Sequence, residues 1–152
     1  FRHQRTDIFA LMPLFQCVIL TSNLGQKRLI GNTSTFWQWF QRVFSDGLSE
    51  YQRTIERYGV VSAETAADMA VSAARTADTD AALSVTGVAG PDGGTRECPV
   101  GLVYIGCCLH GRVVTERHLF AGDRMQVRKS ATDAALHLLA RTITEEGTIC
   151  ES

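Results

Sequence analysis

One stretch limits this chain's folding options more than any other. Leu83–Ile105 reads LSVTGVAGPDGGTRECPVGLVYI. An apolar, strand-like run over Ala81–Val85 breaks into Thr86-Gly87-Val88-Ala89-Gly90-Pro91-Asp92-Gly93-Gly94, and a second strand-like run follows over Val100–Leu109. Four glycines within eight residues, set between two β runs, require backbone conformations closed to most residues. Such a loop lets a ligand approach the main chain, and its N–H groups can hold an anion. It can equally be a tight connection between two strands, and spacing alone does not separate the two. The loop is not a Walker-type phosphate loop, because no Gly-Lys-Ser/Thr closes it. Nor does Gly87-x-x-Gly90-x-x-Gly93 supply the Gly-x-Gly-x-x-Gly of dinucleotide-binding folds.

The flanking sequence alternates helical and strand patterns. Phe36, Phe40 and Phe44 recur every four residues in TFWQWFQRVF, which puts them on one helical face suited to core packing. Asp46-Gly47 breaks that pattern, and Leu48–Tyr58 resumes a polar helical run that Gly59 can end. Ser62 is a good N-cap for a helix over Ala63–Ala77, with Glu64 in its first turn. Ala66, Ala70, Ala73, Ala74 and Ala77 give that helix a small-residue stripe. Val100–Leu109 and Arg112–Phe120 flank His110-Gly111, the signature of an antiparallel hairpin. Asp123 can cap a last helix running to about Glu146, with Val127, Ala131, Ala134, Ala135, Leu138 and Leu139 as its apolar face. The tail from Gly147 reads as frayed. Strands between helices predict an α/β layered domain, and 152 residues suit a single domain, 1–152.

Charge excludes some partners. The chain has 15 basic and 16 acidic residues, so bulk charge drives binding to neither nucleic acid nor a membrane surface. Ile8–Leu20 is apolar but short for a membrane span and contains Pro13. It reads either as a signal-peptide core or as a buried segment. The buried reading is preferred, with Phe15–Leu20 as a parallel core strand apolar on both faces. Five cysteines, Cys17, Cys98, Cys107, Cys108 and Cys150, show no C-x-x-C spacing. Cys107 and Cys108 sit in an apolar strand and point to opposite faces, as buried free thiols. That suits a reducing cytoplasm. No His/Asp/Glu cluster has metal-site spacing, so no metal and no cofactor are expected. His110 belongs at an exposed turn, His118 on a strand and His137 beside the stripe of the last helix. Cys98, close to the loop, reads as a small residue before Pro99 rather than a reactive thiol.

T-G-V-A-G-P-D-G-G-T, then P-V-G-L-V-Y-I, then F-A-G-D-R-x-x-V-R together resemble the CinA C-terminal-domain family. The resemblance runs from about Tyr58 to about Leu139 and fails in the first third of the chain. It implies a three-layer α/β/α sandwich with a mixed sheet. The family includes nicotinamide-nucleotide amidases, so the implied partner is a small nucleotide like nicotinamide mononucleotide, and a homo-oligomer is compatible with it.

Amide hydrolysis needs a nucleophile, a base and an oxyanion site. The family supplies its Ser from E-S-C-T-G-G after the first strand, and Tyr and Lys from Y-S-N-x-x-K. Neither motif occurs here. After Val18-Ile19-Leu20 the chain reads Thr21-Ser22-Asn23-Leu24-Gly25-Gln26, so Ser22 is the one candidate nucleophile. Trp39-Phe40-Gln41-Arg42 resembles the W-F-x-R that precedes the second motif. Placing Phe44-Ser45-Asp46 on Y-S-N leaves Ser49 at the Lys position; placing Leu48-Ser49-Glu50 there leaves Arg53. The only lysines are Lys27 and Lys129, and a guanidinium cannot serve as a general base.

The binding half matches better. The resemblance assigns substrate contact to Thr86, Gly87, Gly90, Gly93 and Gly94, and to Arg124 and Arg128 of the G-D-R-x-x-V-R segment. Two arginines four residues apart share a helical face and suit a phosphate; solvation, or pairing with Asp123 and other carboxylates, is the competing role. Three readings stay open: an amidohydrolase with impaired catalysis, an inactive nucleotide-binding or assembly module, and a first third corrupted by a reading-frame error.

Overall fold

A computed structural model of the chain describes residues 18–20 and 53–149. The described strands are β1 (Val18–Leu20), β2 (Ala81–Gly87), β3 (Leu102–Leu109) and β4 (Arg112–Leu119). Two long helices, α1 (Ala63–Ala77) and α2 (Arg124–Ile149), accompany them, and residues 53–58 are also helical. The strands line up in the order β1-β2-β3-β4.

The sequence explains where these elements begin and end. Gly59 closes the 53–58 segment, its N–H bonding the Ile55 carbonyl at 2.8 Å. Ser62 sits in an extended conformation, and its hydroxyl accepts from the Thr65 N–H at 3.1 Å. A cap of this kind contributes about 1 kcal/mol. His110 and Gly111 both take positive φ, 48° and 84°, as a two-residue turn whose twist suits the flanking strands requires. Asp123 and Gln126 form a reciprocal capping box: the Gln126 N–H reaches Asp123 Oδ1 at 2.9 Å and the Asp123 N–H reaches Gln126 Oε1 at 2.8 Å.

Alternation along β2 and β3 divides the core in two. Leu83, Val85, Val103, Ile105 and Cys107 pack with Val127, Ala131, Ala135, Leu138 and Leu139 of α2. Ala82 and Cys108 pack with Ala70, Ala73 and Ala74 of α1. The two helices therefore cover opposite faces of the sheet. Cys107 and Cys108 are buried, free, and on opposite faces, as their adjacency in a strand dictates.

Several expectations need correction. Every described pairing is antiparallel, including Val18↔Leu83 through Leu20↔Ala81, so β1 is not a parallel strand and the described sheet is not mixed. An apolar run encodes burial but not direction. The strand expected to start at Val100 starts at Leu102, because Gly101 turns the chain with φ 92°. The glycine loop begins later than Val85, since pairing with β3 carries β2 through Gly87. The last helix passes Glu146 and Gly147 to reach Ile149. One glycine in a helix costs only about 1 kcal/mol. The aromatic stripe Phe36, Phe40 and Phe44 lies outside the described residues.

Candidate functional site

The glycine loop joins the adjacent antiparallel strands β2 and β3. At its base the Val88 N–H bonds Leu102 O at 2.8 Å and the Gly101 N–H bonds Val88 O at 2.7 Å. Farther out, the Thr95 N–H bonds Cys98 O at 2.9 Å and the Cys98 N–H bonds Thr95 Oγ1 at 2.9 Å. Residues 81–90 are buried and 91–97 exposed. Gly90 has φ 81°, and a side chain there would meet Val100 Cγ1 at 2.6 Å. Its glycine is required by the loop itself, so a bulky residue at 90 would distort the loop before it blocked any ligand.

A cleft opens where the loop leaves β2. Val85, Gly87, Ala89, Val103, Val127, Arg128 and Ala131 line it. Where β2 gives way to the loop, the positions facing α2 change from Val85 to the small Gly87 and Ala89, so the chain no longer fills the space beneath the first turns of α2. The cleft holds about 20 Å³. That is room for about one water, where drug-sized ligands occupy sites of roughly 300–1,000 Å³.

The two arginines have different surroundings. Arg128 lines the cleft. Arg124, the first residue of α2, donates from Nη1 to the Gly90 carbonyl at 3.1 Å. Among the described residues neither forms a salt bridge, and Asp123 spends its carboxylate on the capping box instead. Solvation or ion pairing was the competing expectation; the loop contact of Arg124 fits neither.

Thr86 lies on the other face. It is 1% exposed, and its hydroxyl donates to Val60 O at 2.7 Å, toward the segment that leads into α1. Gly87 forms the cleft floor. Gly94 backs onto Val100, and Gly93, with φ 86°, has open space around it. Ser22 and Lys27 lie outside the described residues. Arg53 is exposed. Among the described residues no group of His, Cys, Asp and Glu could hold a metal ion, and no helix is long and apolar enough to cross a membrane.

Two features were not anticipated from the sequence. The first is a charged seam between β4 and α2. Glu116 accepts from Arg141 and contacts His118 Nε2 at 3.1 Å, and Arg112 meets Glu145 at 3.6 Å. The hydrogen bond from Arg141 is the main cause that holds the Glu116 carboxyl below its usual range, with His118 adding to it. Its members lie up to 33 residues apart, so no local pattern marks it. The second is the close approach of α1 to β3 at Gly106, where a Cβ would run into the Ala66 carbonyl. Burial pushes the Cys107 thiol up, which makes it inert as a nucleophile.

Together these features define a class: an α/β domain with a glycine-rich loop between strands and paired arginines at an adjoining helix start. The family assignment follows from sequence comparison. The CinA C-terminal domain family matches residues 41–143, and the chain belongs to it. The match begins well before Tyr58, where the motif resemblance starts. A relative from Alkaliphilus metalliredigens, named for competence-damage induction, is 54% identical over 91 residues, which is 60% of this chain and 22% of that protein. A CinA-like protein of Kosmotoga olearia is 39% identical over 114 residues, 67% of this chain and 28% of the relative. The chain thus spans about a quarter of the length of these curated relatives. Among solved structures, a CinA superfamily protein from Escherichia coli is similar with a TM-score of 0.54 at 38% identity, covering 57% of this chain and 50% of that one. One from Klebsiella pneumoniae gives 0.58 at 28% identity, covering 61% and 58%.

Proposed function

We propose that this domain is a nicotinamide mononucleotide amidohydrolase unit with impaired catalysis. In this reading its described half holds the nucleotide while the reaction chemistry is largely lost. The observation that carries the reading is Arg128 in a cleft floored by Gly87 and Ala89, with a second arginine one turn away. A fork of guanidinium donors suits a phosphate, and the small floor residues leave the backbone approachable. The rest of the site then comes from outside the described residues or from a second copy of the chain.

Catalysis is the weak half. Ser22 is the candidate nucleophile, and a serine hydroxyl without a base attacks poorly at neutral pH. No lysine lies between Lys27 and Lys129, and Arg53 cannot accept a proton. This absence favours a second reading, an inactive nucleotide-binding or assembly module. We further infer a three-layer α/β/α unit, supported by helices on both faces of the sheet. A parallel strand making that sheet mixed would have to come from outside the described residues. The free thiols of Cys107 and Cys108 support a cytoplasmic setting.

Ammonia release from nicotinamide mononucleotide, measured on the full chain and on Ser22→Ala, tests the reading alongside calorimetric titration. Binding with very slow release, diminished further in Ser22→Ala, is expected. Binding with no release would favour the inactive module. Robust turnover untouched by Ser22→Ala would overturn the assignment of the nucleophile, and no heat at millimolar ligand would remove the nucleotide reading. Arg128→Ala is expected to weaken binding by about 1.5–3 kcal/mol, as for a charged hydrogen bond.

A further inference from the structure

We propose that the two arginines divide their work: Arg124 is a positioning residue that latches the glycine loop to α2, and Arg128 is the residue that meets the ligand's anionic group. The second half rests on the nucleotide reading above; the first stands on geometry alone.

The loop from Val88 to Gly101 is tied down unevenly. Its base is held by the backbone bonds of Val88 and Gly101, and Gly101 O accepts from the Phe120 N–H at 2.9 Å. Its outer limb is braced internally, between Thr95 and Cys98. Between them, Arg124 Nη1 donates to Gly90 O and joins the Gly90 bend to α2. Gly90 is the hinge of the limb: it is buried, has φ 81°, and precedes the exposed residues 91–97. A carbonyl at a buried bend needs a donor, and a guanidinium supplies a charge-assisted one.

The donor is well placed. Arg124 opens α2, and the Asp123–Gln126 capping box fixes the path of the chain into that first turn. Latch and helix start therefore move as one body. Arg128, one turn on, lies on the same helical face but lines the cleft beside Gly87 and Ala89. Losing Arg124 frees the bend and leaves the cleft cation in place. Losing Arg128 removes the cation and leaves the bend held.

The loop carries its own reporter. Arg96 is exposed on the outer limb, and no other Lys or Arg lies between Arg75 and Arg112. Limited trypsin digestion of the full chain therefore reads loop opening as cleavage at Arg96–Glu97. Arg124→Ala is expected to raise that cleavage rate about three- to tenfold, the change in open population from losing one hydrogen bond. Arg124→Lys, which keeps one charged donor, should recover part of the protection, and Arg128→Ala should cut at the unmutated rate. Titration with nicotinamide mononucleotide supplies the other arm: Arg128→Ala should weaken binding more than tenfold and Arg124→Ala only a few fold. An unchanged cut at Arg96 in Arg124→Ala overturns the latch. So does a parallel rise at Arg112 and Arg117, which reports general unfolding. An equal loss of affinity in both variants overturns the division of labour. Failure of the unmutated chain to bind the nucleotide removes the ligand role of Arg128, and the latch is then judged on the cleavage rates alone.

Discussion

The two faces of the sheet are built from the same strands by opposite rules. On the α1 face the residues that meet at Gly106 are small and hydroxylated. Ala66, Ala70 and Ser84 are fully buried, and Ser84 donates to Ala66 O at 2.5 Å. Gly106 has no side chain at the point where α1 comes nearest, and a Cβ there would meet Ser84 Oγ at 2.5 Å and the Ala66 carbonyl. On the α2 face Leu83, Val85, Ile105, Val127 and Leu138 interdigitate as branched aliphatics. Small residues let a helix sit close and leave no room. Large residues hold a helix off, and a cleft opens wherever they give way to Gly and Ala. That happens at Gly87 and Ala89, so the cleft belongs to the α2 face and to the loop end of β2.

The largest test attacks the close face. Gly106→Val pushes a branched side chain into backbone and the buried Ser84 hydroxyl. Overpacking of a tight core typically costs about 1–3 kcal/mol and occasionally more. Because the obstacle at Gly106 is a helix backbone, we expect the upper end or beyond, seen as a lowered denaturation midpoint. A branched side chain on the α2 side of the strand, Cys107→Val, gives up the thiol's contact with the Thr142 hydroxyl but meets no backbone obstacle of that kind, and should cost clearly less. Equal costs would show that the faces do not differ in tightness.

A smaller effect is expected at Thr86, and it separates structural from ligand roles. Its hydroxyl points to the α1 face and holds Val60 O. Thr86→Val keeps the shape and leaves that carbonyl short of a partner, at a cost of about 1–3 kcal/mol. Thr86→Ser should recover most of it. Affinity for nicotinamide mononucleotide should hardly change in either. A large loss of affinity with stability intact would place Thr86 in the binding site and break the division between the faces.

Legibility in the sequence followed the range of each interaction. Local rules located α1 and its Ser62 cap, the His110-Gly111 hairpin and the apolar stripe of α2, because each depends on neighbours within a few residues. The capping box was half visible, in Asp123; Gln126 three residues on is its other half. Strand direction was not legible: the apolar run around Val18 is the same sequence whether it pairs parallel or antiparallel. The sequence does not assign Thr86 to a face, because its apolar run ends at Val85 whereas β2 continues through Gly87. Gly106 looked like an ordinary glycine in a strand, and only the arrival of Ala66 from 40 positions earlier explains it. The i, i+4 spacing puts the two arginines on one face of α2, but spacing could not say that one reaches a loop carbonyl and the other a cleft.

The smallest predicted effect lies on the α2 face, where the seam at Glu116 ties β4 to the helix. The hydrogen bond from Arg141 holds the Glu116 carboxyl below the usual carboxylate range. A group whose folded value is depressed contributes stability that is present above its unfolded value and is lost as pH falls through the folded one. The loss should therefore appear on the acid side, starting near the ordinary carboxylate range and completing below it. The side chains of Glu116 and Arg141 are 26% and 56% exposed, so water and salt screen the pair. The contribution should be small, as for exposed pairs. Glu116→Gln keeps the shape and removes the titrating proton. Denaturation midpoints of both chains from pH 7 down to pH 3 should draw together as acid is added, and high salt should narrow the gap at pH 7. A gap that widened toward acid would mean that the carboxylate is destabilising where it stands, and that the α2 face is held by its aliphatic core alone.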